Sequence, residues 1–95
     1  SGTSLSGGAM PHPEAILLVL ARLNRIIEID IDNQVVVAQP GVTNLAITHA
    51  VADHGFYYAP DPSSQIACSI GGNVAENSGG VHCLKHGLTV NNICG

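Results

Sequence analysis

The sequence has little charge, and almost none of it is positive. Charged residues make up 11% of the chain, the net charge is −4, and the only fixed cations are Arg22, Arg25 and Lys85. Nucleic-acid binding generally needs a basic patch that displaces the counterions of the phosphates. The composition therefore excludes nucleic acid as the expected partner. It favours a surface that a cofactor, another domain or a partner covers, the alternative being a compact glycine-rich fold with an uncharged surface.

Long hydrophobic runs and paired cysteines are also missing. The longest apolar run, Ala15 to Ala21, is far shorter than the roughly 20 residues that span a bilayer. No basic segment followed by an apolar one marks a signal peptide. The three cysteines, Cys68, Cys83 and Cys94, form no CxxC pair, and their odd number disfavours a secreted disulfide framework. We therefore expect no transmembrane segment and a reducing compartment, the cytoplasm.

The length of 95 residues suits one small domain or a piece of a larger one. The chain opens on a Gly/Ser loop without an initiator Met, so we expect a processed product or a fragment.

The hydrophobic pattern predicts two kinds of strand. The continuous apolar run Ile16–Leu20 is typical of a strand that is buried on both faces. Apolar and acidic residues alternate from Ile27 to Asp32, Asp32-Asn33 supplies turn residues, and Gln34–Ala38 is rich in β-branched residues. This second pattern predicts an antiparallel β-hairpin.

A helix is predicted after the hairpin, from an N-cap at Thr43 to about His54, with Gly55 as a left-handed C-cap. Phe56–Tyr58 is then predicted as a short extended segment, the last strand in the order strand, hairpin, helix, strand. Because the hairpin is antiparallel, this order of elements favours an α+β fold over a parallel βαβ array. The predicted apolar stripe of the helix consists of Val42, Leu45, Ala46, Ala50 and Val51.

Two glycine-rich segments have the composition of anion-binding loops. The first loop, Ser1–Gly8, would expose consecutive backbone N–H groups and suits a phosphate or pyrophosphate, although a flexible terminus has the same composition. The second, 61–80, predicts a short helix that begins near Ile70 and ends at Gly79-Gly80. Its N-terminus would present unpaired N–H groups to an anion. An ordinary loop is the alternative for this segment.

Asn73 and Asn77 are four residues apart in the second segment and would share one face of that helix. They could hold the polar edge of a ring, or each other.

These segments, in this order, resemble a known family. The sequences SGTSLSGG, PGVTNLAITHAV and APDPSSQIACSIGGNVAENSGGVHCLKHG are similar to the FAD-binding domain of the vanillyl-alcohol oxidase type, also called the PCMH type. More narrowly, they resemble the FAD-binding subunit of glycolate oxidase and its D-lactate dehydrogenase relatives. The resemblance implies a mixed sheet with a hairpin, one main helix and glycine-rich loops. Residues 1–95 would be the central part of that domain, without its two ends and without the substrate or cap domain.

The resemblance also assigns cofactor-binding residues. Phosphate and ribityl oxygens would be held by Gly2, Thr3, Ser4, Leu5, Ser6 and Gly7. Pro40 and Gly41 would lie near the adenosine half. The pyrophosphate and flavin side would be lined by Pro62, Ser63, Ser64, Ser69, Gly71, Gly72, Asn73, Ala75, Asn77 and Gly80. Gly87 would end the glycine-rich stretch.

By the same resemblance, the parent protein oxidises a small 2-hydroxy acid of the glycolate or D-lactate class to the 2-oxo acid. FAD would be bound non-covalently, because no covalent-flavin histidine of the family matches a position here. No catalytic residue is assigned, since the base would lie outside this chain. The expected partners are the rest of the parent chain and an electron acceptor, for which the resemblance leaves an iron–sulfur electron-transfer subunit, a quinone, a cytochrome and oxygen open. With an iron–sulfur subunit, the protein would belong to a complex peripheral to the inner membrane. Exposed strand edges would favour a dimer.

Three alternatives stay open. His82, Cys83, His86, Cys68 and Cys94 could form a metal site, although their spacing fits no standard pattern. The cysteines are otherwise expected to be small buried residues, with His49 and His54 on the helix surface. The chain could instead be a scaffold fragment that no longer holds FAD. It could also come from a flavoenzyme that acts on a different alcohol.

Overall fold

The computed structural model describes all 95 residues, and its element order is that of an α+β protein. Two strands come first, β1 (Ile26–Asp30) and β2 (Val35–Ala38). Three α-helices follow, α1 (Asn44–Val51), α2 (Ile70–Glu76) and α3 (Cys83–His86). Short 3-10 turns lie at Gly7–Ala9, Ala52–His54 and Thr89–Asn92. None of the helices has the length and apolar character needed to cross a bilayer.

The predicted hairpin is confirmed. β1 pairs antiparallel with β2, and the register runs from Ile26 opposite Ala38 to Asp30 opposite Val35. Asn33 tightens the turn by donating its backbone N–H (3.0 Å) and its side-chain amide (2.8 Å) to the Asp30 carboxylate, and these bonds lower the pKa of Asp30. Gln34 adopts φ 57° and belongs to the turn, not to β2. The strands that would make the sheet mixed are not formed in this chain.

Two predicted strands are wrong for this chain. Ile16–Leu20 has no strand structure, and the side chains of Ile16 and Leu18 are 98% and 78% exposed. Phe56–Tyr58 has no strand structure either, and the Tyr58 N–H donates to the Thr48 hydroxyl (3.1 Å). Because β1 and β2 pair only with each other, neither segment has a ladder to join.

The helix after the hairpin is confirmed at both ends. The Thr43 hydroxyl accepts the Ala46 N–H (3.1 Å), and α1 continues as a 3-10 turn to His54. Gly55 ends it with φ 77°, a left-handed conformation that glycine adopts without strain. His49 and His54 are exposed, as expected.

The predicted apolar stripe of α1 needs correction. The buried positions of the helix are Asn44, Ile47 and Val51, whereas Ala46 is exposed and Leu45 and Ala50 are only partly buried. A different face of the helix is therefore buried, because the polar side chain of Asn44 contacts Pro60 and α2.

The core of the chain is thin. The buried residues are Val42, Asn44, Ile47, Val51, Pro60, Cys68, Asn73 and Thr89. An apolar groove of about 690 Å³ lies between the hairpin, α1, α2 and the last residues of the chain, and Ile47, Val51 and Val74 line it. With so little buried apolar area, directional hydrogen bonds contribute much of what fixes the positions of the elements.

Candidate functional site

Three sequence segments meet around α2. At its start, Thr43 forms an isolated antiparallel bridge with Ser69. At its last residue, Glu76, the carboxylate accepts a hydrogen bond from the Ser6 hydroxyl. The structure therefore brings together the first loop, the segment Pro40–Thr43 and the second glycine-rich segment, which are far apart in sequence.

The first loop presents free backbone donors. No acceptor in the chain receives the backbone N–H of Gly2, Thr3, Ser4, Leu5, Gly7 or Gly8. At Gly7 and Gly8, no atom of the chain lies within 4 Å of the position that a Cβ would occupy, and neither residue has a positive φ. Nothing in the chain itself therefore requires glycine at these two positions. Clustered N–H groups that can be approached closely suit an oxyanion.

The hydroxyl groups of Ser4 and Ser6 in the first loop are already engaged within the chain. Ser6 donates its hydroxyl to Glu76 and its backbone N–H to the Ser4 hydroxyl (3.1 Å), and the two hydroxyl oxygens are 2.8 Å apart. The hydrogen bonds from Ser6 and then Ser4 lower the pKa of Glu76. Most of the donors that the loop leaves available are therefore backbone N–H groups.

The start of α2 does not present unpaired N–H groups, so this expectation is wrong. Ile70 donates its N–H to the Val42 carbonyl (2.7 Å), and Gly71 donates to the Pro40 carbonyl (2.8 Å). Ser69 caps the helix: its hydroxyl accepts the Gly72 N–H (3.3 Å), and its carbonyl accepts the Asn73 N–H (2.9 Å). The donors that an isolated helix would leave free are consumed by its own cap and by the Pro40–Thr43 segment.

The close contact with Pro40 explains one glycine of α2. A Cβ at Gly71 would lie 2.7 Å from the Cβ of Pro40, so any larger residue would push the helix away from this segment. A similar approach occurs at Gly80, where a Cβ would overlap the backbone of Asp61. Both glycines are needed for packing within the chain.

Asn73 and Asn77 do not hold each other. Asn73 is 3% exposed, and its side-chain amide donates to the side-chain oxygen of Asn44 and, at 3.5 Å, to the Cys68 sulfur. Asn77 ends α2 in a left-handed conformation with φ 51°, so the helix stops before Gly79-Gly80, where the sequence predicted its end. Its side-chain oxygen accepts the Val90 N–H (2.9 Å).

Asn44 is a residue that the sequence interpretation missed. It is 1% exposed and donates its side-chain amide to the Pro60 carbonyl (3.0 Å) while accepting from Asn73. The spacing of Asn44, Ile47 and Val51 is that of one helix face, and this signal could have identified a buried polar position.

The other predicted site residues lie in a turn, on the surface of α2 and after α3. Pro62–Ser64 form a turn, in which the Pro62 carbonyl accepts the Gln65 N–H (2.9 Å) and the Ser64 carbonyl accepts the Cys68 N–H (2.8 Å). Ala75 is exposed on α2. Gly87 follows α3 with φ 78° and packs against the Asn91 side chain.

Asp61, at the start of the second segment, is hydrogen-bonded to His82, which lies two residues after the end of that segment. His82 Nδ1 lies 2.6 Å from the Asp61 carboxylate, and this hydrogen bond lowers the pKa of Asp61. The Tyr57 hydroxyl lies 3.4 Å from His86 Nε2. The contact between Asp61 and His82 brings the start of the second segment next to the residues that follow its end.

The His/Cys cluster considered as a metal site is not assembled. No three side chains of His, Cys, Asp or Glu converge on a point that could hold a metal ion. Cys68 is buried as expected, but Cys83 is only partly buried and Cys94 is exposed, so the prediction of buried cysteines is wrong for Cys94.

We predict that the contribution of the Asp61 carboxylate to stability is lost in acid. Since the folded pKa of Asp61 is depressed, its contribution is present above the unfolded value of about 4 and disappears as the pH falls through the folded value. The free energy of unfolding, measured by urea denaturation, should therefore differ between the wild type and Asp61→Asn at pH 6 and converge in stronger acid. A difference that stays constant over this range would contradict the pairing. Glu76 and Asp30 titrate in both proteins, so they cancel in the comparison.

Comparison with known proteins identifies relatives along the whole chain. Residues 1–95 match a family described as an FAD binding domain. The glycolate oxidase subunit GlcD of Escherichia coli (strain K12) is 64% identical over 93 residues, covering 98% of this chain and 19% of that protein. The Bacillus subtilis (strain 168) glycolate oxidase subunit GlcD is 44% identical over 95 residues, covering 100% and 20%. A D-lactate dehydrogenase of Archaeoglobus fulgidus is 40% identical over 90 residues, covering 95% and 20%. The chain thus spans about a fifth of the length of these relatives.

Proposed function

This chain belongs to the FAD binding domain family, and we propose that it is the segment of a flavin-dependent 2-hydroxyacid oxidoreductase that holds non-covalent FAD. The observation that carries the proposal is the first loop. Six of its backbone N–H groups are free, and Gly7 and Gly8 are open glycines that no contact within the chain requires. A bound pyrophosphate supplies the missing reason for both features, because it needs close N–H donors and no Cβ in its way.

The residues present fit the cofactor in a specific way. The N–H groups of the first loop would hold the pyrophosphate. Pro40 and Gly41 would lie near the adenosine half, next to Gly71, which contacts Pro40. Gly41 is itself held in place, since its N–H donates to the Leu23 carbonyl (2.7 Å). The second segment would line the flavin side, with Asp61 at its start hydrogen-bonded to His82.

In the complete natural polypeptide that carries this sequence, we propose oxidation of a small 2-hydroxy acid to the 2-oxo acid. Bound flavin supplies the electron-accepting chemistry, while this chain contributes binding and orientation. The names of two kinds of relative, glycolate oxidase subunit and D-lactate dehydrogenase, support this substrate class. We assign the base that takes the hydroxyl proton to none of the residues of this chain.

We predict that Gly8→Ala weakens FAD binding without destabilising the fold. A Cβ at Gly8 meets no atom of the chain, so the stability should stay within about 0.5 kcal/mol of wild type. The same Cβ would obstruct an oxyanion held by the first loop, and the loss of one charge-assisted hydrogen bond corresponds to about a tenfold higher dissociation constant. The measurement is a titration of the complete apoprotein followed by flavin fluorescence.

Gly55→Ala is the matched control, because its Cβ also meets no atom of the chain but a φ of 77° strains any residue other than glycine, so it should lower the free energy of unfolding by about 1–2 kcal/mol and leave the dissociation constant for FAD unchanged. FMN, which lacks the adenylate half, serves as the control ligand. A wild-type protein that does not bind FAD, or a Gly8→Ala protein that binds it as tightly as wild type, would refute the role of the first loop.

The substrate class is tested by steady-state kinetics on the complete polypeptide with an artificial electron acceptor. We predict that kcat/KM for glycolate or D-lactate exceeds that for ethanol or 2-propanol, which have no carboxylate, by at least about a hundredfold, since a site with groups for a substrate carboxylate leaves them unpaired when it is missing. Turnover of the simple alcohols in preference to the acids would favour the alternative flavoenzyme that acts on a different alcohol.

The assembly of the complete polypeptide is also a proposal. Among the electron acceptors that the family resemblance leaves open, an iron–sulfur electron-transfer subunit is the proposed partner, in a cytoplasmic complex peripheral to the inner membrane. Two relatives are named as subunits, which supports assembly. All three cysteines of the chain are free thiols, which supports a reducing compartment.

The isolated 95-residue chain should self-associate, because Ile16–Leu20 is exposed and has no strand partner. We predict dimers or larger species in sedimentation velocity. Leu18→Lys should shift the distribution towards the monomer, because it places a charge in the apolar run. A monodisperse wild-type monomer would contradict association through this segment.

A further inference from the structure

The side chains of Asn44 and Asn73 are fully committed to contacts inside the chain. Asn44 is 1% exposed and Asn73 is 3% exposed, so neither amide has surface to offer a ligand. Asn73 donates to Asn44 and to the Cys68 sulfur, and Asn44 donates to the Pro60 carbonyl at 3.0 Å. Two amides, a carbonyl and a thiol therefore form one buried polar network.

This network connects the segments that frame the proposed FAD site. Asn44 is the first residue of α1 and directly follows Pro40–Thr43. Asn73 lies in α2, two positions after Gly71, whose N–H donates to the Pro40 carbonyl. Pro60 directly precedes Asp61, which pairs with His82. One pair of side chains thus fixes the Pro40 segment, the helix of the second segment and the entry to that segment relative to one another.

We propose that Asn44 and Asn73 form a positioning pair for the FAD site and that the Asn73 side chain does not touch the cofactor. The inference rests on the proposed function, and it replaces the direct cofactor contact that family resemblance assigns to Asn73. The pair acts by holding α2 against Pro40–Thr43, so that the first loop, which contacts α2 at Glu76, keeps its place beside the other two segments.

The physical basis is the cost of a buried amide without a partner. Truncation of either asparagine leaves the other with an unsatisfied donor or acceptor, which destabilises the arrangement. The structure can relieve this only by letting water in or by shifting α2, and either change alters the site. Once the first truncation has disrupted the network, the second removes a group that no longer has its partner, so the two effects should not add.

The test is a double-mutant cycle on FAD affinity in the complete natural polypeptide. Asn44→Ala, Asn73→Ala and the double variant are titrated as apoproteins with FAD and followed by flavin fluorescence, with circular dichroism at the same temperature to establish that each is folded. We expect each single variant to raise the dissociation constant about tenfold, and the double variant to raise it no further.

Ile47→Ala is the matched control, because Ile47 is buried on α1 but takes no part in the polar network. It should destabilise the fold and leave the dissociation constant within about twofold of wild type. If Ile47→Ala weakened FAD binding equally, a general loss of stability would explain the effect of the asparagine variants, and the inference would be overturned. Asparagine effects that add, or an effect of Asn73→Ala alone, would overturn it in favour of a direct cofactor contact.

Asn44→Asp covers the case in which Asn44→Ala does not fold. The carboxylate keeps the shape of asparagine and still accepts from Asn73, but it cannot donate to the Pro60 carbonyl. It should weaken FAD binding in the same direction, and wild-type affinity in a folded Asn44→Asp protein would overturn the inference. Failure of the proposed function is distinct from these outcomes, because the wild-type protein itself would then not bind FAD.

Discussion

The fold of this chain depends on a hydrogen-bonded pair of buried asparagines. Asn44 and Asn73 are among the few buried residues, and they meet where α1, α2 and Pro60 converge. An apolar core of this size fixes positions poorly, because hydrophobic contacts are not directional. A buried amide has a definite donor and a definite acceptor, and a displaced helix would leave both unpaired. The pair therefore specifies one arrangement of elements that apolar packing alone would leave loosely defined.

The glycines of the two glycine-rich segments differ in whether contacts within the chain require them. Gly71 is required by the chain, since Pro40 lies against it. Gly8 is surrounded by open space, and its N–H has no acceptor in the chain. The N–H groups at the start of α2 all donate to acceptors within the chain. The first loop keeps most of its N–H groups unpaired. The glycines thus divide into those that packing within the chain requires and those that no contact within the chain explains.

Local features of the fold could be predicted from the sequence, and features that depend on distant partners could not. The hairpin at Asp32-Asn33 and the caps Thr43 and Gly55 follow from turn chemistry and side-chain hydrogen bonds within a few residues. Ile16–Leu20 has the composition of a buried strand, but a strand exists only with a neighbour, and none is formed here.

The candidate site shows the same division. Composition alone identified the first loop and the second segment, and family resemblance related them to FAD. The pairing of the N–H groups of Ile70 and Gly71 was unforeseeable, because their acceptors are the carbonyls of Val42 and Pro40, roughly thirty residues earlier in the chain. The role of Asn44 was visible only as a polar residue on the same helix face as Ile47 and Val51, a pattern that indicates burial but not a partner.

The shortage of positive charge in the chain has a consequence for the proposed recognition of the cofactor. Neither glycine-rich segment contains a lysine or arginine, and the carboxylate of Glu76 lies against the first loop through Ser6. A dianionic pyrophosphate would therefore be held by neutral N–H dipoles. Such dipoles act only at short range and in the right orientation, whereas a cationic patch attracts any anion and is screened by salt. Recognition then depends on the placement of the loop relative to α2, and that placement depends on the buried asparagines. The scarcity of positive charge and the buried asparagine pair therefore both make the proposed recognition depend on geometry.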